Sequence, residues 1–211
     1  MKAVILAGGK GTRLSEETLI KPKPMVEIGG KPILWHIMKL YSFYGINEFI
    51  ICCGYKGLQI KQYFANYWIN ENDITCDIRQ KKIEVHTTKT ESWKVTLIDT
   101  GESTETGGRL KRIAKYLNKE VVCMTYGDGL SDVNISELIK FHFAHNLPAT
   151  ITSVRPQARF GALKIGEDGT TVENFNEKPI SEGGRINGGF FILNSKVFDC
   201  LLYTSPSPRD S

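Results

Sequence analysis

Apolar positions along this chain fall into short continuous runs, as in buried strands, and into longer stretches at helical spacing. The run KAVILA, residues 2–7, is rich in β-formers and stops at glycines, which predicts a buried parallel strand. KPILWHIMKLYSFYG follows with Pro32 near a helix start, apolar residues at 33, 34, 37, 38, 40, 41 and 44, and Gly45 as a helix stop. EFIICCG reads as a second buried strand. A helix over roughly 57–68 carries Leu58, Ile60, Tyr63, Phe64, Tyr67 and Trp68 as a core-facing stripe. Strand and helix alternating at these lengths predict βαβ units and an α/β fold with a mostly parallel central sheet and helices on both faces.

The alternation is then interrupted. From about 73 to 100 polar and apolar residues alternate, as in KIEVHTTKTESWKVTLIDT, which predicts a hairpin or extended β arm inserted between βαβ units. GGRLKRIAKYL resumes helix and EVVCMTYGDG is a strand. NISELIKFHFAHN is a helix opened by an Asn-x-x-Glu capping box and closed at Asn146. After ATITSVRP short strands predominate, with a hairpin around residues 167–169 and an apolar strand RINGGFFILN. In the last residues, LLYTSPSPRDS, Ser, Pro and Arg replace the apolar pattern. The expected organisation is therefore one domain over 1–199 and a non-native or disordered tail over 200–211.

Composition narrows the classes. With 41% hydrophobic and 24% charged residues the 211-residue chain suits a globular fold rather than disorder. No apolar run approaches the roughly 18–20 residues of a membrane span, and the apolar N-terminus is too short for a signal peptide, so a cytoplasmic protein without a membrane partner is expected. The net charge of +4 comes from scattered Lys and Arg, which argues against nucleic-acid binding and suits a small anion. Cys52, Cys53, Cys76, Cys123 and Cys200 form no CxxC pair and are read as structural. His36, His86, His142 and His145 show neither a nucleophile partner nor metal-ligand spacing and are read as packing or surface residues.

The chemistry concentrates in LAGGKGTRLSEETLIKPKPM, residues 6–25. A strand ending in glycines is where α/β proteins bind ligands, and glycine lets backbone N–H groups approach phosphate oxygens. A Walker A loop would require Gly-Lys-Ser or Gly-Lys-Thr after GxxxxG, and a dinucleotide fingerprint would require Gly at Leu14. Both fail. What remains is GGxGTRL with Lys23 nine residues beyond Leu14, inside KPKP. Thr12 and the turn amides suit phosphate oxygens, Arg13 can donate two charge-assisted hydrogen bonds, and Lys23 supplies a point charge. Pro22 and Pro24 restrict the backbone beside it. Each element alone also fits a basic surface loop.

GGxGTRL followed by PKPM resembles the signature of the sugar-phosphate nucleotidyltransferases. The segments ETLIKPKPMVEIGGKPILWHIMKLYS, EVHTTKTESWKVTLIDTG and TGGRLKRIAKYL resemble the branch that joins CTP to glucose 1-phosphate, and the likeness spans about residues 1–199. It implies the Rossmann-like fold of that family, and a reaction in which glucose 1-phosphate attacks the α-phosphorus of CTP to give CDP-glucose and pyrophosphate. It places the nucleotide on Leu6, Ala7, Gly8, Gly9, Gly11, Thr12, Arg13 and Lys23, with Gly107, Gly108 and Arg109 near the base or sugar. Arg13 and Lys23 are the catalytic candidates, stabilising charge on the phosphates. Glu177, Lys178, Asn187 and Gly188 would hold the sugar phosphate. Mg²⁺ is the expected cofactor and Asp128, just past a buried strand, its expected ligand, with Asp132 as the competitor.

The resemblance also implies a later segment with a second metal-binding aspartate that these residues do not contain, which leaves the activity of this form open. The opening motif does not select the base, so a dTTP- or UTP-dependent enzyme remains an alternative. An inactive nucleotide-sugar-binding homologue is another. A homo-oligomer that uses the β arm as a subunit contact is expected.

Overall fold

The computed structural model describes residues 1–10, 20–87, 90–155, 162–166, 170–176 and 185–201. The chain divides into two compact units, Met1–Thr150 with Phe191–Ser211, and Ile151–Phe190. In the larger unit the predicted opening run is β1 (Lys2–Ala7), and every residue from Ala3 to Ala7 is buried. After it come two short strands, β2 (Glu27–Ile28) and β3 (Lys31–Pro32), and helix α1 (Ile33–Phe43). Gly45, at φ 78°, donates its N–H to the Ser42 carbonyl and ends α1 where the sequence places the stop.

Next is β4 (Glu48–Cys53), followed by helices α2 (Gly57–Ala65) and α3 (Tyr67–Asn70). The expected single helix over 57–68 is thus two. Asn66 sits between them and donates its side-chain amide to the Gln62 carbonyl, the local bond by which Asn competes with helix continuation. The apolar stripe is also less buried than expected: Ile60 is in the core, whereas Leu58 and Trp68 are exposed. Tyr67 is anchored instead by polar bonds, accepting from Trp35 Nε1 at 2.7 Å and donating to Glu91 at 2.5 Å.

The interrupted stretch resolves into two parts. Strands β5 (Ile74–Asp77) and β6 (Lys82–Val85) pair antiparallel as a separate hairpin, with Asp77 accepting from the Arg79 and Gln80 amides in its turn. Strand β7 (Lys94–Asp99) instead joins the main sheet, parallel to β4. The inserted arm is therefore the hairpin alone. Helix α4 (Thr106–Ile113), strand β8 (Val122–Tyr126) and helix α5 (Ile135–His145) follow. Asn134 caps α5 by accepting from the Glu137 amide, and Asn146 closes it in the left-handed conformation, as the sequence predicts.

The principal sheet has the order β7-β4-β1-β8-β12-β9, where β9 is Ala149–Val154 and β12 is Ile186–Leu193, both running across the unit boundary. Its first four strands are parallel neighbour to neighbour. Val4, Leu6, Ile50, Cys52, Val122 and Met124 face Leu110 and Ile113 of α4 and Phe198 of helix α6 (Ser195–Cys200). The alternate residues face the other way, where the buried Tyr41 hydroxyl of α1 lies beside Thr125 and Gly57 of α2 lies against Cys53. Helices therefore cover both faces. Among the described residues no helix is long and apolar enough to cross a membrane.

In the smaller unit β10 (Ala162–Ile165) pairs antiparallel with β11 (Val172–Asn176), the flanks of the predicted hairpin, whose tip at 167–169 lies outside the described residues. Thr152 and Phe190 exchange hydrogen bonds through the Thr152 hydroxyl, at 3.0 and 3.2 Å. Residues 202–211, most of the expected tail, are outside the described set.

Candidate active site

The carboxyl ends of the parallel strands define the site. β1 runs into Gly8 and Gly9, β4 into Gly54, β7 into Thr100 and Gly101, and β8 into Gly127 and Asp128. Carbonyl groups emerge together at such an edge, and their negative ends need donors. Arg109, only 5% exposed, supplies them. Its Nη1 donates to Thr100 Oγ1 and to the Gly101 carbonyl, each at 2.7 Å. Its Nη2 donates to the carbonyls of Gly8, at 3.0 Å, and Glu102, at 3.1 Å. Burial lowers the Arg109 pKa from its ordinary value, and guanidinium basicity is high enough that it stays charged.

Three glycines make the space. A Cβ on Gly8 would collide with the Arg109 guanidinium, and one on Gly54 would lie 2.5 Å from Nη1 and 2.6 Å from the Gly8 carbonyl oxygen. Gly101 has φ 83° as well, a backbone that side chains rarely adopt. The glycine-rich ends of β1 and β4 are thus shaped around one buried cation, Arg109, whereas a Cβ on Gly101 would meet the Arg112 guanidinium.

On the opposite side, Pro22 to Val26 form a single 3-10 turn closed by Met25 N–H to Pro22 O, at 2.8 Å, and Val26 N–H to Lys23 O, at 3.1 Å. Pro24 packs toward Gly127, where an added Cβ would meet Pro24 Cγ at 3.1 Å. The turn so held brings Lys23 Nζ to 2.9 Å from Asp128 Oδ2. Two residues 105 positions apart, read separately from the sequence as a phosphate-binding lysine and a metal-binding aspartate, are an ion pair.

Between these two sides lies a cavity of about 460 Å³. Leu6, Ala7, Gly8, Gly9 and Lys10 line it from β1 and the loop beyond, Lys23, Pro24, Tyr126 and Asp128 from the second side, and Glu102 to Thr106 with Arg109 from the third. Of the residues expected to bind a nucleotide, Leu6, Ala7, Gly8, Gly9 and Lys23 are brought together here. Gly107 and Gly108 are buried in the first turns of α4 and are not part of the lining. Gly11, Thr12, Arg13, Glu177 and Lys178 lie outside the described residues. Asn187 and Gly188 stand on β12 in the smaller unit, where Asn187 Oδ1 accepts from the Gly189 amide at 2.7 Å.

The sequence reading missed the wall formed by Glu102 to Thr106. The signal was present, since TGEST follows a strand of the parallel sheet and such carboxyl ends carry binding loops. Lys10 and Glu102 approach to 3.6 Å across the cavity, both about half exposed. Among the described residues no three His, Cys, Asp or Glu side chains form a metal-binding group.

The chain is 58% identical, over 95% of its length and 78% of the relative's, to glucose-1-phosphate cytidylyltransferase of Salmonella typhi. It is 48% identical to a probable glucose-1-phosphate cytidylyltransferase of Bacillus subtilis strain 168, over the same shares. Among solved structures, that of HddC from Yersinia pseudotuberculosis superposes with a TM-score of 0.67 at 28% identity, covering 97% of this chain and 82% of that one. The sequence pattern described as nucleotidyl transferase matches residues 2–211, and the chain belongs to that family of enzymes.

Proposed function

We propose that the protein transfers the cytidylyl group of CTP to α-D-glucose 1-phosphate, giving CDP-glucose and pyrophosphate. The observation that carries this reading is the 58% identity, over nearly the whole chain, to an enzyme named for that activity. In the reaction a phosphate oxygen of the sugar phosphate forms a bond to the α-phosphorus. The bond from that phosphorus to the bridging oxygen of the β-phosphate breaks, and pyrophosphate leaves in line. No protein nucleophile is required. The work is to hold two polyanions together and neutralise them.

The cavity suits that work. Backbone amides near Gly8 and Gly9 take phosphate oxygens, and Lys23 reaches the α-phosphate from the rigid Pro22 to Val26 turn. Arg13 stabilises charge on the transferring and leaving phosphates. Gly11 and Thr12 complete the phosphate loop, and Glu177, Lys178, Asn187 and Gly188 hold the sugar phosphate. Arg109 keeps the loop ends in register through the Gly8 carbonyl.

Enzymes of this family generally use a divalent metal, and Mg²⁺ is the ion proposed here. The donor chemistry fits: Asp128 offers a hard carboxylate at the cavity wall, and a cation, the Lys23 ammonium, already stands 2.9 Å from it. Among the described residues no three acidic, cysteine or imidazole groups cluster there, so phosphate oxygens and water would supply further ligands. Bound there, the ion would neutralise phosphate charge. The exposed Ile78 and Ile83 of the hairpin support the proposal of a homo-oligomer that buries the arm.

The test is pyrophosphate release with glucose 1-phosphate and, in turn, CTP, UTP and dTTP. CTP should give the highest kcat/KM. Equal or better turnover of another triphosphate would overturn the base assignment, and tight CDP-glucose binding without pyrophosphate release would identify a binding homologue.

A further inference from the structure

Lys23 and Asp128 have been given separate tasks, one on the nucleotide phosphate and one on the metal. In the structure each is paired with the other. Lys23 Nζ stands 2.9 Å from Asp128 Oδ2, and among the described residues the structure records no second partner for either charged group. Both side chains reach solvent, at 23% and 34% exposure, so neither is locked in place by burial.

The two tasks conflict with this pairing. A hard divalent cation binds carboxylate oxygen at about 2.0–2.1 Å, so a cation and an ammonium sharing this one small group would face each other as like charges within a few ångströms. One must leave. The backbone of Lys23 cannot move far, because Pro22, Pro24 and the two hydrogen bonds of the 3-10 turn hold it. Its four-carbon stem can turn, and because Lys23 and Asp128 line the same cavity, the ammonium swings into the space where phosphate would lie.

We propose that Lys23 and a divalent cation exchange at Asp128. Lys23 is the counter-ion of Asp128 until a metal binds, and metal loading releases it toward the phosphates in the same event. The inference rests on the reading of Asp128 as a metal ligand. It has two consequences. The substrate-free protein holds divalent cation weakly, because the ammonium competes for the carboxylate. Metal and nucleotide bind in synergy, because the nucleotide receives the lysine that the metal displaces.

The experiment is a Mn²⁺ titration followed by electron paramagnetic resonance, in which bound ion loses the free-ion signal, on the wild type, Lys23→Met, Lys10→Met and Asp128→Asn, without nucleotide and with CTP. Without nucleotide, Lys23→Met should tighten Mn²⁺ binding by about fivefold or more, within the usual span of coupling between sites. Lys10→Met removes a charge from the same cavity that does not touch Asp128, and should change binding by less than about twofold if screened field effects are small. Adding Asp128→Asn to Lys23→Met should abolish the gain. With CTP the sign should reverse, Lys23→Met weakening the ternary complex. Equal affinity of Lys23→Met and wild type without nucleotide overturns the exchange, as does an equal gain from Lys10→Met. If Asp128→Asn leaves Mn²⁺ binding unchanged with CTP present, the metal assignment itself fails. If it weakens that binding while Lys23→Met gains nothing, only the exchange fails. Melting temperatures of the variants confirm that each is folded.

Discussion

Arg109 Nη2 donates to the carbonyl of Gly8 at 3.0 Å, joining the first glycine of the phosphate loop to a helix 101 positions later. The guanidinium is a brace across the carboxyl ends of β1 and β7, largely buried against the carbonyls it serves. A lysine at this position has one nitrogen where the guanidinium presents a fork. Arg109→Lys should therefore leave buried acceptors unpaired and cost about 2–4 kcal/mol of stability. Gly8→Ala and Gly54→Ala should destabilise by displacing the guanidinium, whereas Gly9→Ala, with no described atom within 4 Å of the added Cβ, should leave the melting temperature nearly unchanged. Denaturant melts of the four variants check this, and a stable Gly54→Ala would remove the brace from the account.

For the phosphate contacts, Arg13→Ala should cost roughly 1.5–3 kcal/mol of transition-state stabilisation, about one to two orders of magnitude in kcat/KM. Lys23→Ala should behave similarly. Lys10→Ala should be far milder, because its partner is the half-exposed Glu102 at 3.6 Å. Steady-state kinetics with CTP and glucose 1-phosphate decide it, and an unchanged rate constant removes the residue from the mechanism.

Much of this arrangement is written in the sequence where local chemistry and final environment agree. β1, β4 and β8 are continuous apolar runs because helices cover both of their faces. Gly45 and the Asn134 cap mark helix ends through bonds made within a few residues. β7 was harder to read. At the sheet edge, part of it remains exposed, and its alternating KVTLID resembles the hairpin strands before it rather than β1. The break at Asn66 depends on one side-chain bond that helical periodicity does not register. Arg109 leaves no local signal, since TGGRLKRI reads as an amphipathic helix whose arginine belongs in solvent. Its partners come from the ends of three strands: Gly8, the Cys53 carbonyl at 3.4 Å, and Thr100 to Glu102. The cavity wall at Glu102 to Thr106 was available only to reasoning from sheet topology.

The cysteines give a chemical test of the core. Burial pushes the thiol pKa of Cys52 up to about 12, of Cys53 to about 11 and of Cys123 to about 12, so all three are neutral and enclosed at ordinary pH. Cys76 and Cys200 are exposed. In the native protein a thiol reagent at pH 8 should modify two cysteines rapidly and the other three only on unfolding. Fast labelling of Cys52 or Cys53 would contradict the packing of β4.

His142 predicts how stability depends on pH. Its ring is buried, and Nδ1 lies 2.8 Å from Thr150 Oγ1, which also lies 2.7 Å from His145 Nε2. Because His145 Nδ1 accepts from the Leu147 amide at 2.9 Å, its proton must be on Nε2, donated to Thr150. The Thr150 hydroxyl then donates to His142 Nδ1, and the chain is complete only with both rings neutral. Burial, and then the neighbouring His145, lower the His142 pKa from its ordinary 6.5. The unfolded chain therefore binds a proton at a pH where the folded one refuses it. Stability from this group is fully present above about 6.5 and declines as pH falls through that value toward the lower folded pKa. His142→Asn places an amide oxygen where Nδ1 accepts and cannot take the proton. Its melting temperature should fall less between pH 7 and pH 5 than that of the wild type, and parallel curves for the two proteins would show that His142 does not carry the effect.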